Sequence, residues 1–418
     1  MANKTISDLP EGMVSEILVR LPVKTLLICK SVCKPWLSMI SNPHFVKSQL
    51  RRAIIASMNT PTLLTIENPP PTAEELAFKM KAIEMEKNFV TYTAPAYERL
   101  QERRRELVKQ AVLDAKDQDL SSCPVQFDRL VVPRPFFPYG VVSCCNGIIC
   151  LATGFGKTVC LWNPSIRKCK KLPHPQPYTS RKYPVKMGFG YDSISDAYKV
   201  FRVVSEKLYD KVPIVQVYST TTDSWREFRD PILKNYDNFR RINILVNGVL
   251  YFDGVEELIA FDMHSEVFRI VPFPSFCHRK RSDLLEFQGS VAMVFQTESG
   301  FDLWTLDDVV TGKVSWTKRF GIAVDSETEL CLAKYLGGGQ FFGQKLLLDK
   351  NIMLYNVLYN YQKKETRFYK LPEEKIFAYL KYTETLVSLD GFEPVDDTPT
   401  GFEHVDETPT ESVSEKKG

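Results

Sequence analysis

Residues 8–45 read DLPEGMVSEILVRLPVKTLLICKSVCKPWLSMISNPHF, and the spacing of apolar residues and prolines in this stretch decides how the chain begins to fold. Met13, Val14, Ile17, Leu18 and Leu21 recur at helical spacing, with Asp8 placed to cap free amides and Glu11 to reach back. This predicts a helix of about three turns. Leu21-Pro22 ends it, because proline has no amide donor and turns its predecessor away from helix. A second short helix carries Leu26, Leu27, Cys29, Val32 and Cys33, and Lys34-Pro35-Trp36 separates it from a third with Leu37, Met39 and Ile40. Modules below about 40 residues rarely hide their apolar surface internally, so this one is expected to stay exposed to a partner.

The chain of 418 residues is long enough for this small module plus a large domain, and a hydrophobic content of 44% supplies a core for it. Ten cysteines with no C-x-x-C pair, and no secretory leader at the N-terminus, point to reduced thiols in the cytoplasm and/or nucleus. No apolar run approaches the roughly 18 residues of a membrane span, so no membrane partner is expected. The net charge of +3 divides into −7 for residues 390–418 and +10 for the remainder. A body so mildly basic, with its basic clusters short, predicts no nucleic-acid partner.

Ala53 to Ile66, AIIASMNTPTLLTI, reads as two short strands around Asn59-Thr60-Pro61. After Pro69-Pro70-Pro71 the composition changes over residues 72–119 to helix formers with nine basic and ten acidic residues. Leu76, Met80 and Ile83 make one narrow apolar stripe, and Leu100, Leu107, Val108, Ala111, Val112 and Ala115 another. This predicts a helical insertion, either a binding element or a solvated spacer.

From Val141 the character is β. A hairpin of apolar strand, polar turn and basic or aromatic strand recurs as VCLWNPSIRKCKKLP, VQVYSTTTDSWREF, LIAFDMHSEVFRIVPFP, FDLWTLDDVVTGKVSWTKRF and IMLYNVLYNYQKKETRFYKLP. Anchored on Trp162, Tyr218, Phe261, Trp304 and Tyr355, the intervals are 56, 43, 43 and 51 residues. Those lengths lie near the roughly 40 to 50 residues of a four-stranded propeller blade, with loops added. Between the hairpins stand SCCNGIICL, GFGYDSISDAYKVFRVV and INILVNGVLYFDG, in which Asn-Gly or Asp-Ser makes the tight turn. Pairing Ala53–Ile66 with Ile376–Leu389 would close a ring of about six blades. The acidic residues 390–418 hold a tandem decapeptide, GFEPVDDTPT then GFEHVDETPT, and predict a disordered tail.

Two parts of the sequence resemble a known family. Leu9, Pro10, Ile17, Leu18, Leu21, Pro22, Val23, Leu26, Val32, Cys33, Trp36, Pro43 and Phe45 follow the pattern of the F-box, in the form carried by the large plant family with an F-box-associated domain. Ile28-Cys29 departs from it, since that family more often has an arginine and an aromatic residue there. CNGIICL, LWNPSIRKCKKLP, GFGYDSISDAYKV and VYSTTTDSWRE resemble the opening of the family's F-box-associated, Kelch-like domain, although the double-glycine mark of true Kelch repeats is missing. The resemblance implies an α+β multi-domain chain: an F-box in 1–50, first propeller strands in 51–71, the insertion in 72–119, a mostly antiparallel propeller-like domain in 120–389, and the tail. It further implies docking on the Skp-type adaptor of an SCF ubiquitin ligase, and through it on cullin and RING subunits. Leu9, Pro10, Ile17, Leu18, Leu21, Pro22, Val23, Leu26, Val32, Cys33 and Trp36 would be the contacts.

Nothing in the sequence carries catalysis. Gly154-Phe155-Gly156-Lys157-Thr158 lacks the first P-loop glycine and precedes a strand rather than a helix, so it reads as a hairpin turn. Gly337-Gly338-Gly339 reads as a flexible loop between blades. The five histidines form no ligand pair, Cys29 and Cys33 read as core, and Cys144-Cys145 alternate across a strand. No cofactor or metal is implied. The expected role is a non-catalytic substrate receptor that holds a target protein for ubiquitination; an adaptor-bound scaffold and a propeller enzyme are the alternatives. Tyr178, Arg181, Tyr183, Tyr236, Phe239, Arg240 and His278 lie in predicted loops as plausible target anchors.

Overall fold

The computed structural model describes residues 9–395 except 60–61, 68–125, 134–139, 154–155, 176–184, 205–211, 236–242, 255–256, 275–281, 298–299, 308–313, 324–329, 349–351 and 371–375. The predicted insertion, 72–119, and the seven loop residues suggested as target anchors lie outside the described residues.

Four helices come first: α1 (Glu11–Leu18), α2 (Val23–Cys29), α3 (Lys34–Ser41) and α4 (Pro43–Asn59). Pro10 and Pro22 stand immediately before α1 and α2, and Pro35 sits in the first turn of α3, where a missing amide costs nothing. The expected capping box is not what starts α1. Pro10 holds the cap position at φ −55° with no side-chain cap, and Asp8 lies outside the described residues. Ala53–Asn59, expected as a strand, is the end of the 17-residue α4. Phe45, Val46, Gln49, Leu50, Ala53, Ile54 and Ser57 keep the three-and-four spacing of one helical face, and they are its covered or half-covered residues.

The remainder is a ring of sheets. β1 (Thr62–Glu67) lies between β2 (Gln126–Val131), parallel to it, and β23 (Ile376–Tyr382), antiparallel to it. Blade 1 holds β3 (Gly140–Cys145), β4 (Ile148–Ala152), β5 (Val159–Asn163) and β6 (Lys168–Lys171); blade 2 holds β7 (Val185–Asp192), β8 (Ala197–Val204), β9 (Ile214–Ser219) and β10 (Ser224–Phe228). Blade 3 holds β11 (Asn243–Val246), β12 (Val249–Asp253), β13 (Glu257–Asp262) and β14 (Phe268–Pro272). Blade 4 holds β15 (Ser282–Phe287), β16 (Ser290–Thr297), β17 (Gly300–Leu306) and β18 (Trp316–Ala323). Blade 5 holds β19 (Leu330–Gly337), β20 (Gln340–Leu348), β21 (Ile352–Asn360) and β22 (Glu365–Lys370). Where about six blades are expected, the described residues form these five full blades and the three-stranded closing sheet.

The same local chemistry recurs from blade to blade, with blade 2 using a four-residue turn between its first two strands. Asn146-Gly147, Asn247-Gly248, Gln288-Gly289 and Gly338-Gly339 all have positive φ and join first to second strands as two-residue hairpin turns. Gly337–Gly339 is therefore an intra-blade hairpin, not a loop between blades. In blades 1, 3 and 5 the turn after the third strand spans five residues: Asn163, Asp262 and Asn360 accept amide bonds two residues on, and Arg167, Glu266 and Lys364 close it at positive φ. Lys157 falls between β4 and β5, an antiparallel pair, as the hairpin reading of Gly154–Thr158 requires.

Alternating side chains put each sheet between two neighbours. Cys145, Ile148 and Cys150 pack with Phe189 and Tyr198 between blades 1 and 2; Phe201 meets Phe252 and Phe261 between blades 2 and 3. Tyr251 and Met293 pack between blades 3 and 4, and Phe287 with Phe341 between blades 4 and 5. The closing sheet does the same with one strand: Leu63 faces Leu336 and Phe342 of blade 5, while Leu64 and Ile66 face Ile149 and Trp162 of blade 1. Trp225 Nε1 donates to the Pro173 carbonyl at 2.7 Å and Trp316 Nε1 to the Pro272 carbonyl at 2.9 Å, stapling the outer strands of two blade pairs.

A charged cluster also bridges blades 2 and 3. Lys199, buried, donates to the Met263 carbonyl at 2.5 Å and pairs with Glu266 at 3.1 Å and Asp192 at 3.2 Å. Asp192 also accepts from Ser195 Oγ at 2.6 Å and the Ile194 amide at 3.0 Å, and its Oδ2 lies 3.1 Å from His264 Nδ1. Burial pushes the Asp192 carboxyl up, but these bonds outweigh it and hold the group below the usual carboxylate range. Its contribution is thus complete above about pH 4, the ordinary carboxyl value, and is lost as pH falls toward the depressed folded value. Asp192→Ala leaves Lys199 buried beside fewer acids and is expected to lower stability by about 3 kcal/mol in urea unfolding at pH 7. The gap between parent and variant should narrow in acid; a gap that widens there contradicts the assignment.

Candidate functional site: an apolar helical face seated on the propeller

The helices are fixed to one face of the ring. In each blade the first-to-second and third-to-fourth strand turns open on the same side, and turns of both kinds meet the helices. Ile166, from a third-to-fourth turn, packs into the helical core. Lys47 bridges Asp196 at 2.5 Å, and a Cβ on Gly337 would lie 2.8 Å from the Met58 carbonyl, both at first-to-second turns. The Lys47 pair is exposed and contributes little; the close backbone approach at Gly337 is steric and demands glycine.

The segment Thr383–Leu389, expected as strand, leaves β23 and crosses blade 1 between ring and helices. Buried Asn163 donates from Nδ2 to the Thr385 carbonyl at 3.1 Å and the Val387 carbonyl at 2.8 Å. On its other side Leu386 enters the helical core among Val14, Leu18, Val23 and Leu26, and Gln49 Oε1 accepts from the Leu386 amide at 3.4 Å. Gly147 sits beneath it, where a Cβ would stand 2.3 Å from the Thr383 carbonyl. One short piece of chain thus belongs to both bodies.

The eleven residues expected to face an adaptor divide sharply. Leu18, Val23 and Leu26 are at most 2% exposed, so they build the module's own core and cannot face a partner. Pro10, Ile17, Pro22, Val32 and Cys33 are exposed, while Leu9, Leu21 and Trp36 are half-buried against that core. Sequence reasoning did not assign Met13, Ile28 and Leu37 to this face, yet all three are exposed. Together with Ile17 and Val32 they present large apolar side chains that are 42% to 63% exposed. Met13 and Ile17 are one helical turn apart and share a face of α1. Helical periodicity alone could have found Met13; Ile28 stood out only as the departure from the F-box pattern.

The remaining chemistry is sparse. Cys29 is buried and Cys33 exposed, so only the first is core. Cys144 and Cys145 face opposite neighbours of blade 1, and burial pushes both thiols up to about 12, which keeps them protonated and unreactive. Among the described residues no three of His, Cys, Asp or Glu are grouped as metal ligands, and no helix is long and apolar enough to cross a membrane. A cavity of about 350 Å³ opens between blades 3 and 4, lined in part by Tyr251, Asp262, Arg269, Ser290 and Asp307. No catalytic pair is apparent in it.

Comparison with known proteins matches these two bodies separately. Residues 6–48 match the F-box domain, and residues 112–387 match the F-box associated beta propeller domain. The chain belongs to the F-box proteins with an F-box-associated propeller. An F-box/kelch-repeat protein of Arabidopsis thaliana is 27% identical over 326 residues, covering 75% of this chain and 79% of the relative. An F-box protein of the same plant is 26% identical over 355 residues, covering 78% and 76%. The F-box is thus the module of α1 to α3 with the start of α4, and the propeller match ends within the segment that crosses blade 1.

The division between core and face is testable without a partner. Leu26→Ala removes a fully buried side chain and is expected to cost about 2 to 5 kcal/mol. Ile28→Ala, two residues on and 63% exposed, should stay within about 0.5 kcal/mol of the parent. Urea unfolding of the two variants measures both; equal losses would contradict the placement.

Proposed function

We propose that this F-box protein is the substrate-recognition subunit of an SCF-type ubiquitin ligase. The observation that supports this most is the set of large apolar side chains Met13, Ile17, Ile28, Val32 and Leu37, all exposed within one small helical module that is itself locked to the propeller. A soluble chain leaves large apolar side chains so concentrated where a partner covers them. The F-box match implies that this partner is a Skp-type adaptor, which in turn binds cullin and RING subunits. Pro10, Pro22, Cys33 and the half-buried Leu9, Leu21 and Trp36 complete the proposed contact, with Leu18, Val23 and Leu26 supporting it from beneath.

The target would bind the opposite face of the ring. The connections from one blade to the next leave the outer strands there, away from the F-box. They include the stretches that contain Tyr178, Arg181 and Tyr183, then Tyr236, Phe239 and Arg240, and finally His278. Adaptor and target would then lie on opposite sides of one rigid body, so the target is presented at a fixed orientation to the ubiquitin-conjugating enzyme. Catalysis in this reading is positional, and no residue of this chain performs the transfer. Such a receptor would act in the cytoplasm or nucleus.

The test is co-purification of the full chain with a Skp-type adaptor, comparing the parent with Ile17→Asp/Ile28→Asp. Both replaced side chains are exposed, so thermal unfolding of the free protein should be unchanged, while adaptor binding falls at least tenfold, about 1.4 kcal/mol. A folded variant that still binds like the parent would remove this face from the proposal. A folded parent that does not bind would remove the ligase reading.

A further inference from the structure

The tail does not begin where its composition changes. Residues 390–418 read as disordered from sequence, yet Gly391–Val395 is docked on blade 1. β24 (Glu393–Pro394) adds a fifth, antiparallel strand to the outer edge at β6, with Glu393 opposite Cys169 and Pro394 opposite Lys168. A turn leads into it: the Phe392 amide donates to the Leu389 carbonyl at 3.0 Å, and Gly391 has φ +77°. Phe392 packs toward the cluster shared with blade 2, while Val395 packs on the other side with the closing-sheet cluster. The Val395 amide donates to the Arg167 carbonyl at 3.0 Å, so Pro394 stands at the position whose nitrogen points away from β6. Its missing donor therefore costs no hydrogen bond with β6.

The docked segment is the first half of a repeat. GFEPVDDTPT at 391–400 is followed by GFEHVDETPT at 401–410. Within the five docked residues the elements of the docking recur: the positive-φ glycine as Gly401, the two half-buried anchors as Phe402 and Val405, and the acid opposite Cys169 as Glu403. The two differences are Pro394, exposed with its nitrogen turned away from β6, against His404, and Asp397, beyond the docked residues, against Glu407.

We infer that the outer edge of blade 1 is a strand-addition site for the segment Gly-Phe-Glu-X-Val, and that the tail carries two interchangeable occupants for it, Gly391–Val395 and Gly401–Val405. Main-chain bonds to β6 supply affinity, and the pockets for Phe and Val supply specificity. The second copy reaches the site in the same chain by looping out the first. Closing that additional loop costs entropy, so the first copy holds the site while both are intact. The edge of β6 then stays covered when either copy is lost, which protects it from pairing with other chains.

Cys169 provides the readout. Directly opposed residues of an antiparallel pair have Cα atoms about 4.5 to 5.5 Å apart, within disulfide range. With diamide as oxidant, two thiols lose two electrons and two protons to it and form the bond. In the full chain Glu393→Cys is expected to bond Cys169 within one molecule, and Glu403→Cys to do so only weakly. Adding Phe392→Ala and Val395→Ala should raise the Glu403→Cys bond severalfold, and adding Phe402→Ala should abolish that rise. Peptide mapping identifies the bonded pair, and Cys169→Ser removes it. A Glu393→Cys variant that does not bond overturns the site. A Glu403→Cys bond that does not increase, or that forms only between chains on a non-reducing gel, overturns the exchange.

Discussion

The antiparallel pairing of β1 with β23 is the interaction on which the molecule depends. Each blade has two apolar faces, and a sheet with two such faces is stable only between neighbours. Five blades in a row would leave one face bare at each end. β1 resolves this with alternate residues, Leu63 turned to blade 5 and Leu64 and Ile66 to blade 1, while Leu380 and Tyr382 follow on β23. The register Thr62 to Tyr382 joins the first strand of the ring to its last. Ring formation therefore waits for nearly the whole propeller sequence, and the slow, non-local character of folding is built into the topology.

Closure also accounts for where the long intervening segment lies. β2 runs parallel to β1, and a parallel pair cannot be joined by a tight turn. A connection longer than a tight turn must therefore separate Glu67 from Gln126, and sequence added at this point of the chain interrupts no blade. The F-box is tied to the same seam from both ends of the chain. α4 delivers β1, and Thr383–Leu389 continues from β23 across blade 1 into the helical core. Module and ring share this seam, so unfolding of one exposes apolar surface of the other.

Much of this was legible in the residues, and the failures have physical causes. The prolines at 22 and 35 marked the breaks between helices, and the hairpin spacing marked the blades, because both signals are local. Ala53–Asn59 was misread because a short window of branched residues looks like strand; the helical stripe is visible only when counting begins at Phe45. The tail was misread because composition averages over its docked head, although Gly, Phe and Val recurring in an acidic stretch were a usable signal. At the candidate site, periodicity identifies apolar residues but not which of two surfaces they serve. Leu26 and Ile28 are both apolar and two residues apart, and only the position of Leu386 and Phe45 makes one of them core and the other face.

The continuity of α4 into β1 has a geometric consequence for how the family can vary. A helical residue advances the chain by about 1.5 Å and rotates it by about 100°. One residue inserted in α4 after Phe45 would swing the F-box around the helix axis relative to β1, whose own register is pinned by Tyr382. Such a swing would tear Leu386 and Gln49 from their places, so it cannot be absorbed as a small tilt. The length of α4 acts as a gauge block between the F-box and the ring. This helix is not free to lengthen or shorten.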